Sequence, residues 1–376
     1  MVRACPLMFK TDYTFKKGVR NNLKIMCLYP IRLQNKKYTV TEKNGGNIPS
    51  LPKIGKDENG FDIYDERIAY VQIPCGNCIE CKKQKAREWQ VRLTEELKEW
   101  QYPYFMTLTF SPEELENLCK KTNLKECNAV AEYALRHMLE RWRKTHKKSL
   151  KHWFITELGH EGTERIHLHG IIFTNEIIDF GVKNEQKMCI WKYWKYGHVF
   201  VGDYCTRKTI NYIVKYLNKI DSDHKTFKGQ ILASPGLGKT WIERMQKFRP
   251  ELYKYKPRKT IDYYVLENGS RLKLPKYYAN KLRSEEEREL IWREFLDQEK
   301  ETINGITYKT AETKNSTLGN IYEKAQEENI KQGYGNNSKK WRKEEWNITK
   351  RMLQKKRREE QIEKMRKALN MPTLGR

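Results

Sequence analysis

From Cys81 onward the apolar positions become periodic. Ala86, Trp89, Leu93, Leu97 and Trp100 recur at spacings of three and four, which makes one face of an amphipathic helix. Pro103 requires that helix to end before it. In YFMTLTF the period changes to two, placing Tyr104, Met106, Leu108 and Phe110 on one face of a strand. Ser111-Pro112-Glu113-Glu114 then offers a capping hydroxyl, a first-turn proline and early carboxylates, the signature of a helix start. A long helix follows over residues 128–147. WFITE and RIHLHGIIF are β-rich segments on either side of the turn-like GHEGTE, so two strands joined by a loop are expected. Residues 206–219 return to helical period. LPKYYANKL, with the capping-box spacing Ser284 to Glu287 after it, starts another helix.

The flanks read differently. Residues 1–70 contain NGGNIPSLPKIG and KDENG and few apolar runs, which predicts an irregular segment of loops and short strands. From Lys339 to Lys367 there are 13 Lys or Arg against 5 Glu, with no Pro or Gly. That composition predicts a charged helix outside the core, adding salt-sensitive affinity for phosphates. The pattern divides the chain into 1–70, a central α+β domain over 71–280, and a charged, mostly helical extension over 281–376. No repeat of fixed period occurs.

Charge narrows the class of partner. Across 376 residues, 74 Lys plus Arg face 48 Asp plus Glu, a formal net charge of +26, which suits a polyanion. With 38% hydrophobic content the chain can form a core, and 22 Tyr and 10 Trp add base stacking to phosphate attraction. No apolar run approaches the roughly 18 residues of a membrane span. The N-terminal MVRACPLMFKTDYTFKKG also lacks a signal peptide's apolar centre. A soluble, non-secreted nucleic-acid protein with no membrane partner is expected.

Two constellations carry chemistry. In RIHLHGIIF, His167 and His169 are two residues apart, so both imidazoles leave the same strand face, while Leu168, Gly170 and Ile172 face the other way. An antiparallel return through GHEGTE brings Glu157 beside His167. Two imidazoles and a carboxylate suit Mg²⁺ or Mn²⁺ acting on a phosphate. Glu161, Glu164 and His160 lie in the same loop and stay open as third ligands. In NYIVKYLNK, Ile210, Ile213, Val214 and Leu217 form an apolar stripe, whereas Tyr212, Lys215 and Tyr216 project from the opposite side. A phenol of pKa about 10 needs a nearby cation or base to act as a nucleophile, and Lys215 is placed to provide one.

In order and spacing, FMTLTF, HLHG and YIVKY resemble the three motifs of the HUH endonucleases, in particular the rolling-circle replication initiators of microviruses of the gokushovirus type. PCGNCIECKKQKAREWQVRL, the LGK of SPGLGK, and LPKYY also resemble that family, extending the similarity over residues 25–280. The resemblance implies an antiparallel HUH sheet with the tyrosine helix over its metal-bearing face. It also implies site-specific nicking and joining of single-stranded DNA at a replication origin in the host cytoplasm, beside a host helicase and polymerase. His167 and His169 would hold the divalent metal, with Glu157 as third ligand. Tyr212 or Tyr216 would attack the phosphate, leaving a 5′-phosphotyrosine and a free 3′-OH, and two tyrosines fit the paired-tyrosine subclass. The alternatives are a zinc-stabilised binding protein without catalysis and a single-tyrosine relaxase or transposase.

Nine cysteines include Cys75-x-x-Cys78-x-x-Cys81, three thiolates that leave one position open on a tetrahedral ion. A structural Zn²⁺ is expected, with an iron–sulfur cluster as the alternative. Cys27, in the family-like CLYP, is the first choice for the fourth ligand; Cys5, Cys119 and Cys205 stay open. The run from Ala233 to Gly238-Lys239-Thr240 nearly matches a phosphate-binding loop but has Ala where the first Gly belongs. It reads as a glycine-rich loop near the DNA path.

Overall fold

The alternating stretch at residues 104–110 becomes a strand near the middle of the molecule. The computed structural model describes residues 27–42, 44–124, 126–159, 165–175, 192–220, 227–298, 300–309, 312–313, 315–338 and 365. The charged tail expected over 339–367 lies, Met365 apart, outside the described residues, as do Cys5, His160, Glu161 and Glu164.

Five strands, β1 (Tyr102–Leu108), β2 (Lys151–Leu158), β3 (Ile166–Thr174), β4 (Val199–Tyr204) and β5 (Ile231–Ala233), form one sheet in the order β4-β1-β3-β2-β5. Every pairing is antiparallel. The architecture is therefore α+β, as the alternation of strand and helix periods predicts. Helices α1 (Ile79–Leu97), α2 (Pro112–Thr122), α3 (Cys127–His146) and α4 (Arg207–Lys215) flank the sheet.

The period-two pattern sorts the two faces. Tyr104, Met106, Leu108, Leu168 and Ile172 pack with Ala131, Ala134, Leu135 and Met138 of α3 in one buried core. Trp153, Ile155, Ile171 and Phe173 point the other way and pack with Leu93 of α1 and the Ile210, Ile213, Val214 stripe of α4. His167 and His169 belong to this second face, because they alternate with Leu168 on β3. Gly170 is required at the crossing, since a Cβ there would collide with the Phe154 ring and the Trp153 carbonyl.

Helix ends differ in detail from expectation. α1 stops at Leu97, short of Trp100, whose indole N–H donates to Glu96 at 2.8 Å while its ring still packs against the second core. α4 stops at Lys215, because Tyr216, Leu217 and Asn218 donate to carbonyls three residues back, at 3.2, 3.1 and 2.9 Å. That tighter turn redirects the chain just where the second tyrosine stands.

Beyond the sheet, α5 (Lys239–Phe248), α6 (Lys276–Leu282) and α7 (Glu285–Asp297) pack in series. LPKYYANKL is a helix of its own, separated from α7 by the extended Arg283. The guanidinium of Arg283 is buried and donates to the carbonyls of Tyr253 and Ile261 and to Asp262. Ser284 and Glu287 then form the capping box that opens α7. α8 (Asn315–Lys331) returns to the start of α1. The described part of the N-terminal segment holds two short ribbons, Ile31–Gln34 with Tyr70–Ile73 and Lys53–Lys56 with Asp62–Tyr64. No described helix is long and apolar enough to cross a membrane.

Candidate active site and cysteine cluster

The register of β2 on β3 sets Glu157 directly opposite His167, on the face covered by α4. His169 is held from two sides: its Nδ1 lies 3.0 Å from the Thr107 hydroxyl of β1, and its Nε2 lies 3.0 Å from a Glu157 carboxylate oxygen. The Tyr216 ring stacks on His169 with centroids 4.8 Å apart and planes at 14°. The Tyr216 hydroxyl meets that of Tyr212 at 2.8 Å. Tyr212 is 51% exposed, while Tyr216 is partly covered by the second core. The strand pair and the tyrosine helix thus bring His167, His169, Glu157, Tyr212 and Tyr216 to one place.

Lys215 is exposed at the end of α4. The lysine that contacts the cluster is Lys219, whose ammonium is 2.5 Å from the other Glu157 oxygen and 5.8 Å from the centre of the Tyr216 ring. Sequence reading missed it; its spacing of three from Tyr216 past the helix end was the available signal. Glu157 is partly desolvated, which alone would raise its pKa. The hydrogen bonds from His169 and Lys219 outweigh this and hold it below the usual carboxylate range. Desolvation, then the neighbouring His169, holds the His167 pKa below that of an ordinary imidazole, favouring the neutral form that donates a lone pair. Burial and the Tyr212 hydroxyl push the Tyr216 phenol up. His167, His169 and Glu157 supply a nitrogen and oxygen donor set that fits a hard or borderline divalent ion. Their ligand atoms are not drawn round one centre, however, and the two imidazole centroids stand 6.4 Å apart.

The cysteines are gathered more tightly. The sulfurs of Cys27, Cys75, Cys78 and Cys81 all lie within 4.8 Å of one another, the one group of three or more potential ligands so gathered among the described residues. Four thiols at this spacing could bind a metal such as zinc. Gly76 makes the turn possible: its φ of +75° is left-handed backbone, which lets the chain double back between Cys75 and Cys78. Amide hydrogens of Asn77 and Cys78 donate to the Cys75 sulfur at 3.4 and 3.3 Å, and that of Cys75 donates to Cys27. Cys119 and Cys205 pack elsewhere, against the first and second cores.

α8 roofs this cluster. Tyr322 and Gln326 donate to the carbonyls of Cys27 and Leu28, and Asn329 accepts from the Ile79 amide at 2.9 Å. Cys78, the N-cap of α1, makes no side-chain cap, so Asn329 supplies from 250 residues away what a local Ser or Asp usually provides.

The glycine-rich loop 234–238 joins β5 to α5, so strand and helix do flank it. Its Gly238 amide is bound at 2.6 Å by the buried Glu96, and a Cβ at Gly238 would strike Tyr278 and Arg92. The close packing of α1 explains this glycine.

The family that matches is described as replication-associated protein ORF2, and the match spans residues 103–221, from β1 to just past α4. Two phage proteins are similar over more of the chain. Replication-associated protein VP4 of Bdellovibrio phage phiMH2K is 24% identical over 257 residues, covering 61% of this chain and 74% of that protein. Replication-associated protein ORF2 of Spiroplasma virus 4 is 24% identical over 311 residues, covering 76% and 87%. No solved structure matches. The chain therefore resembles the microvirus type of rolling-circle initiator over a span that includes every residue of the His–Tyr cluster.

Proposed function

We propose that this protein is an HUH-type rolling-circle replication initiator that nicks and joins single-stranded DNA at a phage origin in the host cytoplasm. The observation that carries the proposal is the pair of tyrosine hydroxyls 2.8 Å apart, with Tyr216 stacked on His169 of the sheet, inside the segment that matches a replication-associated family. A binding protein without catalysis has no need of two phenols converging on imidazoles and a carboxylate.

Tyr212, the more exposed phenol, attacks first. Its oxygen forms a bond to phosphorus, the bond to the 3′-oxygen breaks, and that oxygen takes up a proton. The strand then ends in a 5′-phosphotyrosine and a free 3′-OH. Ester is exchanged for ester, so the 3′-OH of a later strand can reverse the step without ATP. Tyr216 stabilises the attacking oxygen by donating its hydroxyl hydrogen, and later acts as the second nucleophile that cuts the regenerated origin. Lys219 holds Glu157 in place and adds positive charge beside the developing phosphate charge. His167, His169 and Glu157 would hold Mg²⁺ or Mn²⁺, which when bound neutralises charge on the scissile phosphate. Cys27, Cys75, Cys78 and Cys81 would hold a structural Zn²⁺. Single-stranded DNA is the direct partner, with host helicase and polymerase acting at the same fork.

Incubation with single-stranded genome fragments and Mn²⁺, followed by denaturing gel electrophoresis, tests the reading. A protein–DNA adduct is expected, and its absence across the whole genome would overturn the assignment.

A further inference from the structure

Between the tyrosine turn and the cysteine cluster lies a cavity of about 220 Å³. Glu157, Tyr216 and Lys219 line one end, Gly76 of the cysteine turn lines the other, and Lys82, Lys85 and Lys228 also line it. Four lysines face one carboxylate. That carboxylate is already engaged by His169 and Lys219, and Lys228 donates to the side-chain oxygen of Asn77 in the cysteine turn. Lys82 and Lys85, three apart on α1, have no acidic partner among the described residues. Like charges at that spacing weaken a helix by roughly 0.2–0.5 kcal/mol. Desolvation, then the charge of Lys85, pulls the Lys82 ammonium below its ordinary range. A partly dry, basic cavity of this kind is an unfavourable arrangement that an anion would relieve.

We propose that this cavity is a phosphate subsite for the substrate strand, in which Lys82 and Lys85 bind backbone phosphodiester of single-stranded DNA next to the bond cut at the tyrosines. The proposal rests on the function above for the identity of the strand. It also gives the cysteine cluster a second role. The turn that carries Gly76 and Asn77 forms a wall of the DNA path, so metal binding there shapes substrate binding as well as the fold. The loop after α8 closes the same region, since the Tyr334 hydroxyl donates to the Asn218 carbonyl at 3.0 Å and the Lys82 ammonium lies 5.5 Å from its ring centre.

The test compares Lys82→Met/Lys85→Met with Lys144→Met/Lys148→Met, a pair of exposed lysines at and just beyond the end of α3, on the opposite side of the sheet. Binding of a fluorescent oligo-dT strand is measured by anisotropy across a range of salt concentrations. Two lost single-strand phosphate contacts, at about 0.7 each, lower the slope of log K against log salt by about 1.4. The first pair should show that drop and the second should not. An unchanged slope for Lys82→Met/Lys85→Met, weaker binding with unchanged slope, or equal drops for both pairs would overturn the subsite. Adduct formation is scored on the wild-type chain in parallel. An adduct with no change of slope sinks the subsite alone, and a lowered slope with no adduct sinks the cleavage reading alone.

Discussion

The His–Tyr cluster and the cysteine cluster are built by opposite means. The first stands on neighbouring strands and one helix within residues 105–219, is open to solvent at Tyr212, and has its ligand atoms loosely arranged. The second joins Cys27 to residues 75–81, lies under α8, and holds four sulfurs within 4.8 Å. A site for chemistry must admit a strand of DNA, so its order comes from the sheet beneath it. A staple needs no access, and its order comes from closing distant parts of the chain on each other. Mutations in the first should therefore cost reaction rate, and mutations in the second should cost stability.

The largest effect should come from Tyr212→Phe/Tyr216→Phe, which removes both nucleophiles. No covalent adduct should form, while the melting temperature stays within a few degrees of wild type. Either single variant should still couple to DNA and fail to release unit-length circles in a complete replication assay. His167→Ala/His169→Ala should slow cleavage at least about 10²-fold, the scale of removing charge stabilisation from a transition state, again with the fold intact by circular dichroism. Cys78→Ser should do the reverse. It should destabilise the chain by on the order of 4 kcal/mol, as loss of a structural metal does, with zinc absent by elemental analysis and adduct formation preserved in the fraction that stays folded. If Cys78→Ser left stability unchanged and abolished chemistry, the division of labour would be wrong.

Much of the His–Tyr cluster is legible in the sequence because its signals are local. His-x-His on an alternating strand fixes a shared face, and Tyr212 and Tyr216 fall off the apolar stripe of their helix. Cys-x-x-Cys-x-x-Cys is equally local, and Cys27 was reached through family likeness rather than spacing. What the sequence could not supply is long-range. Glu157 and Lys219 are 62 residues apart, and nothing in either segment names the other. Asn329 reads as an ordinary polar position of a helix, yet it caps α1. The tightened turn at Tyr216 also lies below the resolution of periodicity, because an apolar stripe continues through Leu217 whether or not the helix does.

Two smaller effects sharpen the comparison. Lys219→Met should slow adduct formation about tenfold, equivalent to about 1.4 kcal/mol, without lowering the melting temperature, because Glu157 loses its outer partner and the site loses a charge. Asn329→Ala should cost about 1 kcal/mol of stability, the usual value of a helix cap, read by urea denaturation, with the cleavage rate per folded molecule unchanged.

The central claim, that the paired phenols are the nucleophiles, is tested most directly by locating the DNA on the protein. The adduct formed with single-stranded DNA and Mn²⁺ is digested with nuclease and trypsin, and the nucleotide-bearing peptide is sequenced by mass spectrometry. The account predicts a nucleotide esterified to Tyr212 in the wild-type chain and to Tyr216 in Tyr212→Phe. A nucleotide on any tyrosine outside this pair would contradict it.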